Sequence, residues 1–251
     1  MDVKEKFTGM AQEYSAYRPN YPSEYISYLY EKNHLSNASK IADIGSGTGI
    51  LTKLLLDRNI KVIAVEPNDD MRKVAEQRLS SYPNFISING SAENTAIDSH
   101  SLDLITVAQA FHWFDVEEFK LECKRILKED KNVALVWNSR DTTSSLVLEN
   151  AEICKSYCPL FNGFSGGIED TPEKFDAFFK NGDYKLEVFD YPIEYTIEQF
   201  IGRNLSASYA PKVGDKHYQT FIDELTKLFQ KHQTNNRLSY PNIVRSYIGK
   251  V

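Results

Sequence analysis

The sequence predicts an α/β protein built on a doubly wound parallel sheet, and three observations carry that prediction. Between residues 40 and 138, short apolar runs alternate with stretches of helical periodicity. The first apolar run ends in a glycine-rich turn, GSGTG at 45–49, and the second ends on an acidic residue, Glu66. Parallel neighbours need crossover connections, and helices between the strands supply them. With 251 residues, 41% of them hydrophobic, the chain can build a substantial core, either as one α/β domain with insertions or as two small domains.

The elements follow in order. KIADIG (40–45) is the first strand, and ILTKLLLDRN (50–59) sets Ile50, Leu51, Leu54 and Leu55 on one helical face. KVIAVE (61–66) is the second strand, stopped by Pro67. Asn68, Asp69 and Asp70 cap the next helix, whose buried face is Met71, Val74, Ala75 and Leu79. FISIN (85–89) and LDLITVA (102–108) are the third and fourth strands. Val116, Phe119, Cys123, Ile126 and Leu127 keep helical spacing, and NVALVWN (132–138) is the fifth strand.

The flanks have another character. Residues 1–38, rich in tyrosine and proline, read as an N-terminal arm with a helix around 22–33. Residues 139–182, containing NGFSGG (162–167), read as an irregular or helical insertion. Residues 183–251 complete the sheet and add covering helices. YKLEVFDY (184–191) is a strand, 197–205 a helix, and Tyr218, Phe221, Ile222, Leu225, Leu228 and Phe229 a helical stripe. SYPNIVRSYIGKV (239–251) is the last strand. There is no internal repeat and no long linker, so residues 1–251 are expected to form a single domain around a core at 39–138.

A formal charge of −6 and the absence of any Lys/Arg run argue against non-specific binding to nucleic acid or acidic membranes. MDVKEKFTGM lacks the apolar stretch of a signal peptide, and no apolar run reaches membrane-span length. Cys123, Cys154 and Cys158 make no disulfide framework, and no second Cys/His pair completes a metal site near the last two. The expectation is a soluble cytoplasmic protein with reduced thiols and no metal.

Glycines are needed where a backbone turns sharply and must approach a ligand with no Cβ in the way. A carboxylate at the end of the second strand can accept from both hydroxyls of a ribose. The 45–49 turn and Glu66 therefore predict a nucleoside-containing ligand at the carboxyl edge of the sheet. A dinucleotide fingerprint wants a third glycine where Ile50 stands, and Asp43 would oppose a pyrophosphate. A ligand with an ammonium group suits Asp43 better, which points to S-adenosylmethionine.

AQAFHWFD (108–115) places Phe111, His112, Trp113 and Phe114 in a row after the fourth strand. Neither a strand nor a helix buries four consecutive bulky side chains on one face. The segment is expected to be a turn, with some side chains covering the next helix and others facing the ligand.

These motifs resemble the class I S-adenosylmethionine-dependent methyltransferases, particularly the small-molecule group that includes trans-aconitate methyltransferase-like proteins. ADIGSGTG resembles their first motif, VEPNDDM their acidic second, GSAEN (90–94) their third, and AQAFHWFD the stretch after strand four. YSAYRPNYP (14–22) and SASYA (206–210) resemble flanking motifs of the group, whereas roughly 140–182 match nothing. The resemblance implies a Rossmann-like sheet of seven strands, mostly parallel with an antiparallel last strand, under helical caps.

It also implies roles by position. Asp43, Gly45, Ser46, Gly47, Thr48 and Gly49 would hold the amino-acid part of the cofactor, and Glu66 its ribose. Pro67 or Met71 would lie near the adenine, with Ala92 and Glu93 at the adenine edge. Ala108 and Gln109 would line the methionine side, while Tyr14 and Arg18 would close over the cofactor as a lid.

For the acceptor, His112 is the best-placed titratable group, with a packed turn as the plain alternative. Trp113 and Phe111 would form an apolar, water-excluding wall on the methyl-donating side, and Asn138 would hydrogen-bond the substrate from the end of strand five. Ser206, Ser208, Tyr209, Arg140 and Arg203 are further candidates, the arginines for an acidic substrate. The function expected is methyl transfer to a small-molecule acceptor, an organic acid among the classes, by a monomer or homodimer, with S-adenosylhomocysteine as product. A non-catalytic S-adenosylmethionine-binding protein is the second reading, since binding residues survive loss of catalysis. A nucleic-acid methyltransferase is disfavoured. Such enzymes that methylate base amino groups carry Asn/Asp-Pro-Pro-aromatic where Ala108, Gln109, Ala110 and Phe111 stand here.

Overall fold

The computed structural model describes residues 19–164 and 172–251. The chain divides into two compact units. The core unit comprises residues up to Trp137 together with Asp170–Phe189 and Val244–Val251, and the second unit comprises Asn138–Glu169 and Asp190–Ile243.

In the core unit, α1 (Ser23–Lys32) precedes β1 (Lys40–Ile44), α2 (Ile50–Leu56), β2 (Lys61–Val65), α3 (Asp69–Leu79), β3 (Phe85–Ile88) and β4 (Leu102–Ala108). A 3-10 turn at Phe111–Trp113 leads into α4 (Val116–Ile126) and β5 (Leu127–Arg140). The main sheet is seven-stranded, ordered β3-β2-β1-β4-β5-β9-β6, with β6 at Tyr184–Asp190 and β9 at Asn242–Gly249. The β1–β2, β1–β4, β2–β3 and β4–β5 pairs are parallel, and β9 with β6 forms the antiparallel part. Strand order reverses on either side of β1, the position where open α/β sheets form a ligand crevice.

β1 is buried almost throughout because helices cover both faces, which is why KIADI reads as a continuous apolar run rather than an alternation. Phe119 and Phe178, the latter from α6 (Pro172–Phe178), stack at 5.4 Å beside Phe111 and complete the aromatic core.

The second unit contains α5 (Ser145–Tyr157), β7 (Ile193–Tyr195), α7 (Ile197–Leu205), α8 (Tyr218–His232) and β8 (Leu238–Tyr240). β7 and β8 pair antiparallel in their own two-stranded sheet. Phe200, Phe221, Leu225 and Phe229 centre its separate apolar cluster.

Three boundaries differ from the sequence reading. The helix expected to include Leu127 stops at Ile126, because Leu127 already pairs with Leu102 in the sheet. The single strand expected at 239–251 is two, broken at Pro241, whose missing N–H cannot serve a ladder. The insertion at 139–182 is shared, with α5 in the second unit and α6 in the core. Among the described residues, no helix is long and apolar enough to cross a membrane.

Candidate functional site

The turn after β1 is held by the neighbouring strand. The backbone N–H groups of Gly45 and Ser46 both donate to the Val65 carbonyl, at 2.9 and 3.1 Å. Gly45 has φ +68°, and a Cβ there would stand 2.6 Å from the Ala110 Cβ and 3.2 Å from Phe114. Gly49 has φ +79°, and its Cβ would meet Leu79 at 2.8 Å. Side chains at these positions are excluded twice, by conformation and by space.

Glu66 ties this turn to the next one. Its Oε2 accepts from the Gly47 N–H at 2.9 Å and its Oε1 from the Asn68 N–H at 2.8 Å. Each carboxylate oxygen has two acceptor sites, so one on each remains for a ligand. Arg72 donates to the Glu66 carbonyl at 3.1 Å. Burial pushes the Glu66 carboxyl upward, opposed by the Asn68 and Gly47 N–H groups and by the Arg72 charge.

A cavity opens at this edge of the sheet. Gly45, Ser46, Gly47, Thr48, Glu66, Pro67 and Met71 bound it on the loop side, and Ala108, Gln109 and Trp113 on the strand-four side. The sequence reading named all ten. It missed Phe114, Tyr21 and Asn68 on the same wall. Phe114 was in view within AQAFHWFD without an assigned direction, and Asn68 had been read only as a cap.

AQAFHWFD divides its side chains as a turn should. Phe111, expected beside Trp113 on the wall, is instead buried against Phe178, with ring centres 4.9 Å apart, because the turn points it into the core. Trp113 and Phe114 turn to the cavity, and Asp115 caps α4 by accepting from the Glu118 N–H at 3.1 Å. His112 packs against Trp113 with ring centres 4.6 Å apart and is not part of the cavity wall.

Other expected residues stand elsewhere. Asp43 is buried behind the loop, where its carboxylate accepts the hydroxyls of Thr52 at 2.6 Å and Thr106 at 3.0 Å. Burial raises its pKa to about 6 against those two hydrogen bonds. Ala92 is in the apolar core, and Glu93 accepts the Asp115 N–H at 3.1 Å. Asn138 belongs to the second unit. Tyr14 and Arg18 lie outside the described residues.

The pocket suits a ligand with an adenosine and a polar tail. The hydroxyls of Ser46 and Thr48 are buried and make no hydrogen bond among the described residues, although buried polar atoms are ordinarily paired. A ligand with polar atoms at the loop would satisfy both, and Glu66 keeps acceptor capacity on the same wall.

A sheet in this strand order with a glycine-rich turn after β1 has the fold of the class I methyltransferases, and comparison with known proteins bears on it. Residues 42–135 match the family described as "Methyltransferase domain". An uncharacterized methyltransferase of Mycobacterium tuberculosis is 36% identical over 152 residues, 61% of this chain and 60% of that protein. The match thus spans less than two thirds of the mycobacterial relative's length. One from Schizosaccharomyces pombe is 26% identical over 242 residues, 94% of this chain and 92% of that protein. Among solved structures, a protein assigned as a type II methyltransferase from Anaeromyxobacter dehalogenans superposes with a TM-score of 0.65 at 19% identity. That superposition covers 92% of this chain and 95% of the other. A phosphoethanolamine N-methyltransferase from Haemonchus contortus, solved with S-adenosylhomocysteine, gives a TM-score of 0.54 at 15% identity, covering 99% of this chain and 58% of that one. Over residues 42–135 the chain is thus similar to methyltransferase domains.

Proposed function

We propose that this protein transfers the methyl group of S-adenosylmethionine to a small-molecule acceptor, organic acids among the classes, and releases S-adenosylhomocysteine. The observation that carries the reading is Glu66, held at the cavity wall by the Gly47 and Asn68 N–H groups with acceptor capacity to spare. Glu66 takes the ribose hydroxyls. The 45–49 turn takes the amino-acid part, with the free Ser46 and Thr48 hydroxyls as donors. Asp43 serves that turn from behind through Thr52 and Thr106. Pro67 and Met71 flank the adenine, Ala92 and Glu93 support its edge, and Ala108 and Gln109 line the methionine side.

When bound, S-adenosylmethionine supplies a methyl group on a positively charged sulfur. An acceptor lone pair bonds to the methyl carbon as the carbon–sulfur bond breaks, and the bonding electrons stay on sulfur. Trp113 and Phe114 exclude water from that path, and an aromatic face near the cation is favourable. Alignment alone can supply roughly 7–11 kcal/mol of barrier lowering. A carboxylate acceptor has no proton to lose. A phenol, alcohol or carbon acid must lose a proton, and His112, packed on Trp113 of that wall, is the titratable group beside it. The protein acts in the cytoplasm as a monomer or homodimer, without nucleic acid or membrane as partner.

Calorimetric titration of Glu66→Ala with S-adenosylmethionine is expected to show binding weakened by about 1.5–3 kcal/mol. Unchanged affinity removes Glu66 from the site. A labelled-methyl screen against organic acids, phenols and amines then identifies the acceptor. Clear cofactor binding with no acceptor turned over would instead support a non-catalytic binding protein.

A further inference from the structure

The second unit holds a cluster of polar side chains that methyl-donor binding does not use. The Arg140 guanidinium carbon lies 4.0 Å from the centre of the Phe164 ring. Phe161 packs edge-on to Phe164 at 5.2 Å and to Tyr209 at 5.0 Å, extending this aromatic wall. The Tyr240 hydroxyl is also within reach of the Arg140 charge and accepts the Asn150 side-chain amide at 2.9 Å. Asn150 and Tyr240 are buried, as is Cys154, whose thiol faces the Asn150 carbonyl oxygen at 3.9 Å.

Arg140 and Arg203 both act on the Tyr209 hydroxyl. Among the described residues, no carboxylate lies within ion-pair distance of Arg140. Its neighbour Asp141 turns to Thr143, accepting that residue's N–H at 3.0 Å and its hydroxyl at 2.7 Å. A half-buried guanidinium flanked by rings gives up hydration, and a matching anion is the usual compensation. Face contact with Phe164 leaves the N–H edge of the guanidinium, the edge that grips an oxyanion with two parallel hydrogen bonds. Burial holds the Tyr209 phenol at about 12, so it keeps its proton and can donate.

We infer that Arg140, with Tyr209 and Tyr240 as flanking hydroxyls, binds the oxyanion group of a small organic ligand, a carboxylate or a phosphate, whose apolar body rests on Phe161 and Phe164. The inference goes beyond the proposed methyl transfer and stands whether or not that ligand is the methyl acceptor.

The test titrates the full chain with benzoate, phenyl phosphate and neutral benzamide in a calorimeter. Benzoate or phenyl phosphate binds and benzamide does not, and the preferred anion distinguishes the two sources. Arg140→Met lowers the anion's affinity about tenfold or more, and Arg140→Lys recovers part of the loss. Unaltered S-adenosylhomocysteine binding by both variants verifies that they fold. The site is overturned if neither anion binds, if benzamide binds as well as they do, or if a folded Arg140→Met variant binds the anion as the parent does.

Discussion

The core unit buries its aromatic side chains between a parallel sheet and its helices, whereas the second unit buries its own among helices and one short pair of strands. Their buried polar groups differ in the same way. In the core, Asp43 and Glu66 are carboxylates satisfied by neighbouring hydroxyls and backbone N–H groups within one sheet edge. In the second unit, phenols, an amide and the Arg140 guanidinium converge from four stretches of chain, and among the described residues no carboxylate pairs with Arg140. A site made of turns is written in consecutive residues. A site made by packing helices together is written nowhere in particular.

Ring contacts offer the largest expected test of that contrast. Phe178 in the core meets Phe111 at 4.9 Å, Phe179 at 5.1 Å and Phe119 at 5.4 Å. Phe221 in the second unit is equally buried, but it makes no ring–ring contact among the described residues. Removing either ring costs about 3–5 kcal/mol. Aromatic pairs add about 0.5–1.5 kcal/mol each beyond area, so Phe178→Ala should exceed Phe221→Ala by about 1 kcal/mol or more in urea unfolding. Equal losses would show that the ring geometry of the core contributes nothing beyond burial.

The same contrast explains what could be read in advance. The 45–49 turn, Glu66 and the strand–helix alternation were legible because each is a local pattern with a backbone cause, and ten expected residues meet at one cavity. Asp43 was legible as part of that turn, but not its direction. Only the register that sets it beside Thr106, together with Thr52 on α2, shows that its carboxylate is bound by those two hydroxyls and does not line the cavity. The split at Pro241 was visible as a proline inside a strand pattern, yet the partners of the two halves depend on long-range pairing. The stacking of Arg140 on Phe164 joins residues from separate segments, and no periodicity announces it.

Asp43 gives the next test. Its folded pKa, raised to about 6 from the ordinary 3.8 by burial, means that the folded state holds the proton more tightly than the unfolded chain. Stability from this group is therefore complete below about pH 4 and lost as pH rises through about 6, a difference of about 3 kcal/mol. Asp43→Asn has no such ionisation. The difference in unfolding free energy between parent and variant, followed from pH 4 to 8, should shift in the variant's favour by about that amount. Curves that stay parallel would mean that the Thr52 and Thr106 hydroxyls compensate the buried charge fully.

Helix caps supply the smallest effect and the most local one. In the second unit, Thr196 starts α7 with a capping box: its hydroxyl accepts the Gln199 N–H at 3.3 Å, and the Gln199 side chain accepts the Thr196 N–H at 2.9 Å. In the core, Asp115 starts α4 with one side-chain acceptor and a negative charge at the positive end of the helix. Thr196→Ala should cost about 1 kcal/mol. Asp115→Ala should cost the cap and a further 0.3–1 kcal/mol or so from the helix dipole, a part that shrinks in salt. Measured at low and high ionic strength, the Asp115 penalty should fall while the Thr196 penalty holds. Two penalties with the same salt response would assign both caps to hydrogen bonding alone, and the charge at the start of α4 would then carry no stability of its own.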